Sequence, residues 1–188
     1  MPPPPYPKVL AYIGLKGYLR LANPLTMKTP KTNVARILDK EKVHYEIKAY
    51  DFDPDDLNAM HAAESFGLDP ARVFKTLVLR GDRNGLFVCV IPANRSLDLK
   101  KAAKVSANKS AEMLHVKDLL ENVGYMRGAC SPIGMKKHFP TFIDQSVNNW
   151  PSITISAGQR GVMVLVAPAD IIRVAQMTAA DITKDTEE

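Results

Sequence analysis

The sequence predicts one α+β domain with a largely antiparallel sheet flanked by helices. Three observations carry this. Helical and strand periodicities alternate without the strict strand–helix–strand repeat of a parallel sheet. Gly81-Asp82-Arg83-Asn84-Gly85, with Asn-Gly at its core, reads as a hairpin turn. The run that follows, Leu86 to Ile91, is continuously apolar, as in a central strand. The chain has 188 residues, 46% hydrophobic and 24% charged, which suits one domain or one domain plus a tail and excludes wholesale disorder.

The elements follow in order. Residues 1–26 open on Met-Pro-Pro-Pro-Pro and read as an extension that folds poorly, with room for a short amphipathic helix, or as an upstream start ahead of Met27. Thr29 as N-cap and Pro30 as first helical residue start a helix that carries Val34, Ile37 and Leu38 at helical spacing and ends near Glu41. Val43 to Tyr50 alternates as a strand. The turn Asp53–Asp56 caps a helix through Met60 and Ala63 that Gly67 stops. Val73 to Arg80 and Leu86 to Ile91 are the two hairpin strands. A short basic helix with Lys100, Lys101 and Lys104 starts at Leu97-Asp98, and another spans Val116 to Asn122, closed by Gly124. Thr141–Gln145, Ser152–Ser156 and Val162–Ala167 are strand candidates, and Pro168-Ala169-Asp170 opens a last helix through Val174. Residues 183–188 form an acidic tail expected to fray.

Composition narrows the function. Two cysteines, Cys89 and Cys130, exclude a disulfide-rich secreted scaffold and read most simply as free thiols of a cytosolic protein. No stretch reaches the roughly 18 apolar residues of a membrane-spanning helix. Lys16 and Arg20 interrupt Val9–Ala22, which makes it a poor signal peptide. The expected location is the cytoplasm. The net charge of +5 suits a polyanion such as RNA, although it also serves plain solubility.

Familiar catalytic signatures fail. There is no Gly-x-Gly-x-x-Gly, no phosphate-binding Walker loop and no Gly-x-Ser-x-Gly elbow. His44, His61, His115 and His138 are scattered without metal-ligand spacing. Three features remain. Lys75 sits in an apolar strand, between Phe74 and Thr76, on the face of Leu77 and Leu79. It is either an edge lysine that reaches water or a cation at the floor of a pocket. Gly128-Ala129-Cys130-Ser131-Pro132-Ile133-Gly134 brackets small residues, as either a loop offering N–H groups to a ligand or a common structural turn does. Gly158-Gln159-Arg160-Gly161 is a hairpin, by itself read more simply as a plain one than as one that faces its arginine to an anion.

In order and spacing, Phe74-Lys75-Thr76-Leu77, Ile91-Pro92-Ala93, Leu99-Lys100-Lys101-Ala102-Ala103, the Gly128–Gly134 loop and Gly158–Gly161 resemble the YbaK family. These proteins are similar to the editing domain inserted in bacterial prolyl-tRNA synthetases. The resemblance covers Lys28 to Ile182, and its nearest branch deacylates Cys-tRNA(Pro). It implies a mixed, mostly antiparallel, barrel-like core. It also implies a trans-editing hydrolase, with no metal or cofactor and with aminoacyl-tRNA as partner. Prolyl-tRNA synthetase is a candidate second partner; DNA and membranes are not expected. The family's functional lysine falls on Lys75 and its Gly-x-x-x-Pro loop on Gly128 and Pro132, giving the catalytic set. Tyr50, Phe74, Thr76, Ser131, Gly134 and Arg160 are the implied substrate-binding residues. Cys130 stands where relatives more often carry an aliphatic residue, and Met163 where some carry a polar or acidic one.

The implied chemistry is substrate-assisted: the substrate's own thiol attacks the ester and displaces the tRNA, so the protein orients rather than attacks. A binding module of the same fold, taking a small molecule or regulating a partner, is the alternative. Because helix one carries its own cap, deleting residues 1–26 is expected to leave both the melting temperature and any deacylase activity unchanged. A loss of several degrees on thermal denaturation would show that the extension packs on the core.

Overall fold

A computed structural model describes residues 31–54 and 57–185, so Thr29, Pro30, the extension, Asp55-Asp56 and residues 186–188 lie outside the described residues. Helix α1 (Asn33–Lys40) begins at Thr32, whose Oγ1 accepts the Ala35 N–H at 3.1 Å. Strand β1 is Tyr45–Ala49. Helix α2 (Ala59–Phe66) is capped by Asn58 rather than by Asp53, and Gly67 ends it. The hairpin strands are β2 (Phe74–Gly81) and β3 (Gly85–Pro92), paired from Phe74↔Pro92 to Gly81↔Gly85. Helix α3 (Leu99–Val105) has Asp98 as its cap, accepting from Lys100 N and Lys101 N. The remaining elements are β4 (Ala111–Met113), α4 (Val116–Val123), β5 (Thr141–Asp144), β6 (Ile153–Gln159), β7 (Val162–Val166), α5 (Pro168–Val174) and β8 (Met177–Ala180).

The strands make two sheets and no closed barrel, which corrects the barrel-like core implied by the resemblance. One has the order β1-β7-β6, all antiparallel; the other has the order β4-β2-β3-β5-β8. In the second, β2 pairs antiparallel with β3 and β4, while β3-β5 and β5-β8 are parallel. Although their side chains share one core, the sheets are joined by main-chain pairing at one isolated bridge among the described residues, Val73↔Thr154, too little to close a barrel. Alternation along β2 sorts the core. Phe74, Val78, Val88 and Val90 join the main cluster with α1 and the first sheet; Leu79, Phe87, Cys89 and Ile91 pack with Ala102 of α3 and Ile182. Both cysteines are free.

The carboxy-terminal end is held further than expected. Thr183 is buried, and Lys101 Nζ donates to its carbonyl at 3.0 Å while pairing with Asp181 and Asp185. Among the described residues, no helix is long and apolar enough to cross a membrane.

The hairpin turn is fastened from outside. Asn108 is buried; its Oδ1 accepts Arg83 N at 3.1 Å and Asn84 N at 2.9 Å, and its Nδ2 donates to Ser106. Asp82 Oδ1 accepts Lys109 N and Ser110 N. Replacing Asn108 leaves two N–H groups without their acceptor, so Asn108→Ala is expected to cost about 1–3 kcal/mol. That reads as a Tm lower by about 2–4 °C per kcal/mol, and faster hydrogen exchange at Arg83 and Asn84 would accompany it.

Candidate active site

Strand β2 builds the site because its two edges differ. Ala93 N donates to Val73 O at 2.7 Å, so the main-chain groups of odd-numbered residues face β3. Those of even-numbered residues face the other way, where Leu114 N donates to Val78 O at 2.9 Å. Strand β4 pairs with Leu79–Gly81, and the one main-chain bridge to β6 among the described residues is at Val73, just before β2. Thr76 lies in the gap between these partners, and its buried Oγ1 has no hydrogen-bond partner among the described residues.

That gap is the wall of a cavity of about 560 Å³. Tyr50, Phe74, Lys75, Thr76, Gly128 and Arg127 line it, together with Leu57, Asn58, Met113, Leu119, Cys130, Ser156 and Met163. Lys75 is half-buried, and its Nζ donates to Ala93 O at 2.9 Å. Burial holds its pKa below the ordinary lysine value of 10.5. Lys75 therefore neither hangs in solvent nor lies deep in the core. The loop after α4 supplies the opposite wall. Tyr125 Oη donates to Ile133 O at 2.6 Å and Ser156 Oγ to Ala129 O at 3.1 Å, which fixes the loop on both sides. Gly128 has φ +84°, and a Cβ there would lie 3.0 Å from the Leu57 side chain that covers it, so only glycine fits without strain.

The site residues expected from sequence separate into three groups. Tyr50, Phe74, Lys75, Thr76 and Gly128 come together on the cavity. Arg160 lies beside it, in a recess shared with Tyr50, Leu57 and Gly128. Ser131, Pro132 and Gly134 are off the wall. Ser131 and Pro132 are buried, with Ser131 Oγ accepting Ile133 N at 3.4 Å, and a Cβ at Gly134 would meet Asn33, Tyr125 and Ile37. These three shape the loop and seat it on α1. Sequence reasoning passed over Arg127, Ser156 and the apolar side chains of Leu57, Met113 and Leu119, because no local pattern distinguishes them. Only Arg127, next to Gly128, offered a signal.

Cys130 is the thiol on the wall. Burial pushes its pKa up to about 11, and its Sγ lies 3.7 Å from the Met126 carbonyl. At neutral pH it is a protonated, soft apolar group.

Comparison with known proteins fits this geometry. The model of the aminoacyl-tRNA editing domain matches residues 54–174. An Enterococcus faecalis protein named "Putative Cys-tRNA(Pro)/Cys-tRNA(Cys) deacylase EbsC" is 46% identical over 153 residues, 81% of this chain and 93% of its own length. Proline--tRNA ligase of Fervidobacterium nodosum is 29% identical over 53% of this chain, which corresponds to 17% of the ligase. The solved structure of "a putative trans-editing enzyme for prolyl tRNA synthetase" superimposes with a TM-score of 0.71 at 19% identity, over 82% of this chain and 99% of that one, and shows the same fold. The matched segment runs from the turn before α2 to the end of α5 and contains Lys75, Gly128 and the cavity between them, and on this ground the chain belongs to the aminoacyl-tRNA editing domain family.

Proposed function

We propose that the protein is an aminoacyl-tRNA deacylase that clears Cys-tRNA(Pro) in the cytoplasm, working beside prolyl-tRNA synthetase. The observation that carries this is the cavity lined by Lys75, by Thr76, whose buried Oγ1 has no hydrogen-bond partner among the described residues, and by the Gly128 loop. Family membership and the EbsC relative support it.

The substrate is an ester between cysteine and the terminal ribose of tRNA. Gly128 and its loop border the carbonyl. The Lys75 ammonium draws the negative charge of the RNA end or of the ester oxygen that develops as the bond breaks. The Thr76 edge holds the polar groups of the aminoacyl moiety. The nucleophile comes from the substrate: its sulfur adds to the carbonyl carbon, a C–S bond forms, and the C–O bond to the ribose breaks. The thiol proton ends on the ribose hydroxyl, and water opens the resulting four-membered thiolactone to cysteine. Intramolecular attack gains effective concentration against the strain of the ring. Met163 and Cys130 give the substrate sulfur a soft apolar wall.

Lys75→Ala removes the cation and one hydrogen bond to Ala93 O. It is expected to lower kcat/KM on Cys-tRNA(Pro) by at least about 100-fold, with a Tm loss of no more than about 4 °C. Full activity in the folded variant would remove Lys75 from the mechanism. Because the cation is the working form and burial has lowered its pKa, kcat/KM falls with rising pH at a pH below 10.5.

Cys130→Ala is expected to keep most of the activity on Cys-tRNA(Pro). A substrate whose thiol is replaced by a hydroxyl is expected to be cleaved at least about 100-fold more slowly, since the intramolecular advantage is lost. An inactive Cys130→Ala enzyme, with an acyl adduct trapped on the unmodified protein, would instead make Cys130 the nucleophile. Absence of hydrolysis across a panel of misacylated tRNAs would leave the binding module as the reading.

A further inference from the structure

Beside the cavity lies a narrower recess, lined by Phe52, His61 and Arg160 and sharing Tyr50, Leu57 and Gly128 with it. Its volume is about 10 Å³, room for a single oxygen-sized group. Phe52 stands at this rim 38% exposed. The ring is nevertheless seated. A Cβ at Gly161 would lie 2.8 Å from Phe52 Cδ1 and 2.7 Å from the Tyr50 carbonyl, so the ring rests against bare glycine backbone and turns its other side to solvent. Gly161 also accepts the Tyr50 N–H at 2.9 Å, which ties the end of β1 to this hairpin. The guanidinium next to it is placed as well: Arg160 Nε donates to Arg127 O at 2.9 Å, using one of its five donors.

A rigidly backed aromatic face, an oriented arginine and a one-oxygen recess are the elements with which proteins hold an unpaired nucleotide. A lone exposed phenylalanine would mean nothing. Here it adjoins the cavity across Gly128. We propose that Phe52 and Arg160 form the seat of the terminal nucleotide of the RNA whose acyl group enters the cavity. The base stacks on Phe52, Arg160 takes a phosphate, and the recess takes one sugar hydroxyl or phosphate oxygen. This rests on the deacylase reading. The ester joins the acyl group directly to the last ribose, so that sugar lies within a bond or two of the carbonyl, and Gly128 borders both spaces. The other rim of the cavity, at Met113 and Val116, is exposed and apolar.

The test titrates the full-length protein with the trinucleotide CpCpA, followed by NMR of the phenylalanine rings and arginine Nε–H groups. The same variants are then assayed for deacylation of Cys-tRNA(Pro). Shifts are expected at Phe52 and Arg160. Affinity for CpCpA is expected to fall about tenfold in Phe52→Ala, to hold in Phe52→Trp, and to lose part of its salt dependence in Arg160→Ala. In the assay Phe52→Ala raises KM about tenfold and changes kcat less than about twofold. Shifts confined to the Met113–Val116 rim, or unchanged CpCpA affinity in Phe52→Ala, overturn the seat. If CpCpA binds at Phe52 while no misacylated tRNA is hydrolysed, the deacylase reading falls and the nucleotide seat stands. If hydrolysis proceeds with an unchanged KM in Phe52→Ala, the seat falls and the deacylase reading stands.

Discussion

Every main-chain N–H and C=O of a buried strand needs a partner, and β2 meets that requirement on only one edge along its full length. Its ladder with β3 is complete from Phe74 to Gly81. On the other edge β4 and the adjoining Leu114 N–H cover Val78–Gly81, and β6 bridges Val73, just before β2. What lies between is sheet edge facing a cavity instead of water or another strand. An exposed edge invites any extended chain to pair with it, and proteins usually blunt it. This protein encloses it instead. The Gly128 loop, Leu57 and Met163 wall the edge in, so it is offered only to a ligand small enough to enter. The site is thus where the two sheets fail to meet.

The enclosing wall depends on a few bonds. Tyr125 Oη to Ile133 O closes the loop on itself, and Ser156 Oγ to Ala129 O joins it to β6. Burial pushes the Tyr125 hydroxyl up to about 12, so it remains a donor throughout the physiological range. Gly134, packed on Asn33 and Ile37, carries α1 into the same arrangement. The first helix, far from the cavity in sequence, therefore helps to set the position of Gly128.

Legibility in the sequence followed interaction range. The β2–β3 hairpin was plain because Asn84-Gly85 and two apolar runs are contiguous. Gly67, Gly124 and Asp98 marked helix ends for the same local reason. The caps Thr32 and Asn58 were missed for nearby alternatives, Thr29 and Asp53, of equal propensity. Strands β4 and β8 left no trace: Ala111-Glu112-Met113 and Met177-Thr178-Ala179-Ala180 have little strand preference of their own and are strands because β2 and β5 lend them partners. In the site, the motif residues on β2 and at Gly128 were legible. Ser131, Pro132 and Gly134 belong to the same motif, but Ser131 and Pro132 are buried inside the loop and Gly134 seats it against α1. A motif records a loop's whole construction and does not separate the part that touches a ligand from the part that holds the shape.

Lys75 shows why that separation matters. Alternation puts it on the Leu77–Leu79 face, where an unpaired ammonium is costly. The fold meets part of that cost with the Ala93 carbonyl, a neutral acceptor, and burial alone accounts for the lowered pKa. A carboxylate beside it would have raised the pKa and neutralised the charge. Held by a carbonyl instead, the ammonium keeps its charge available, and with Arg127 on the opposite wall it places two cationic side chains on the cavity. An anionic ligand entering there stabilises the charged form and so raises the pKa of Lys75, and by linkage the charged form binds that ligand more tightly. The incomplete solvation of Lys75 at the cavity wall and its attraction for the phosphate-bearing end of an RNA are therefore one electrostatic fact.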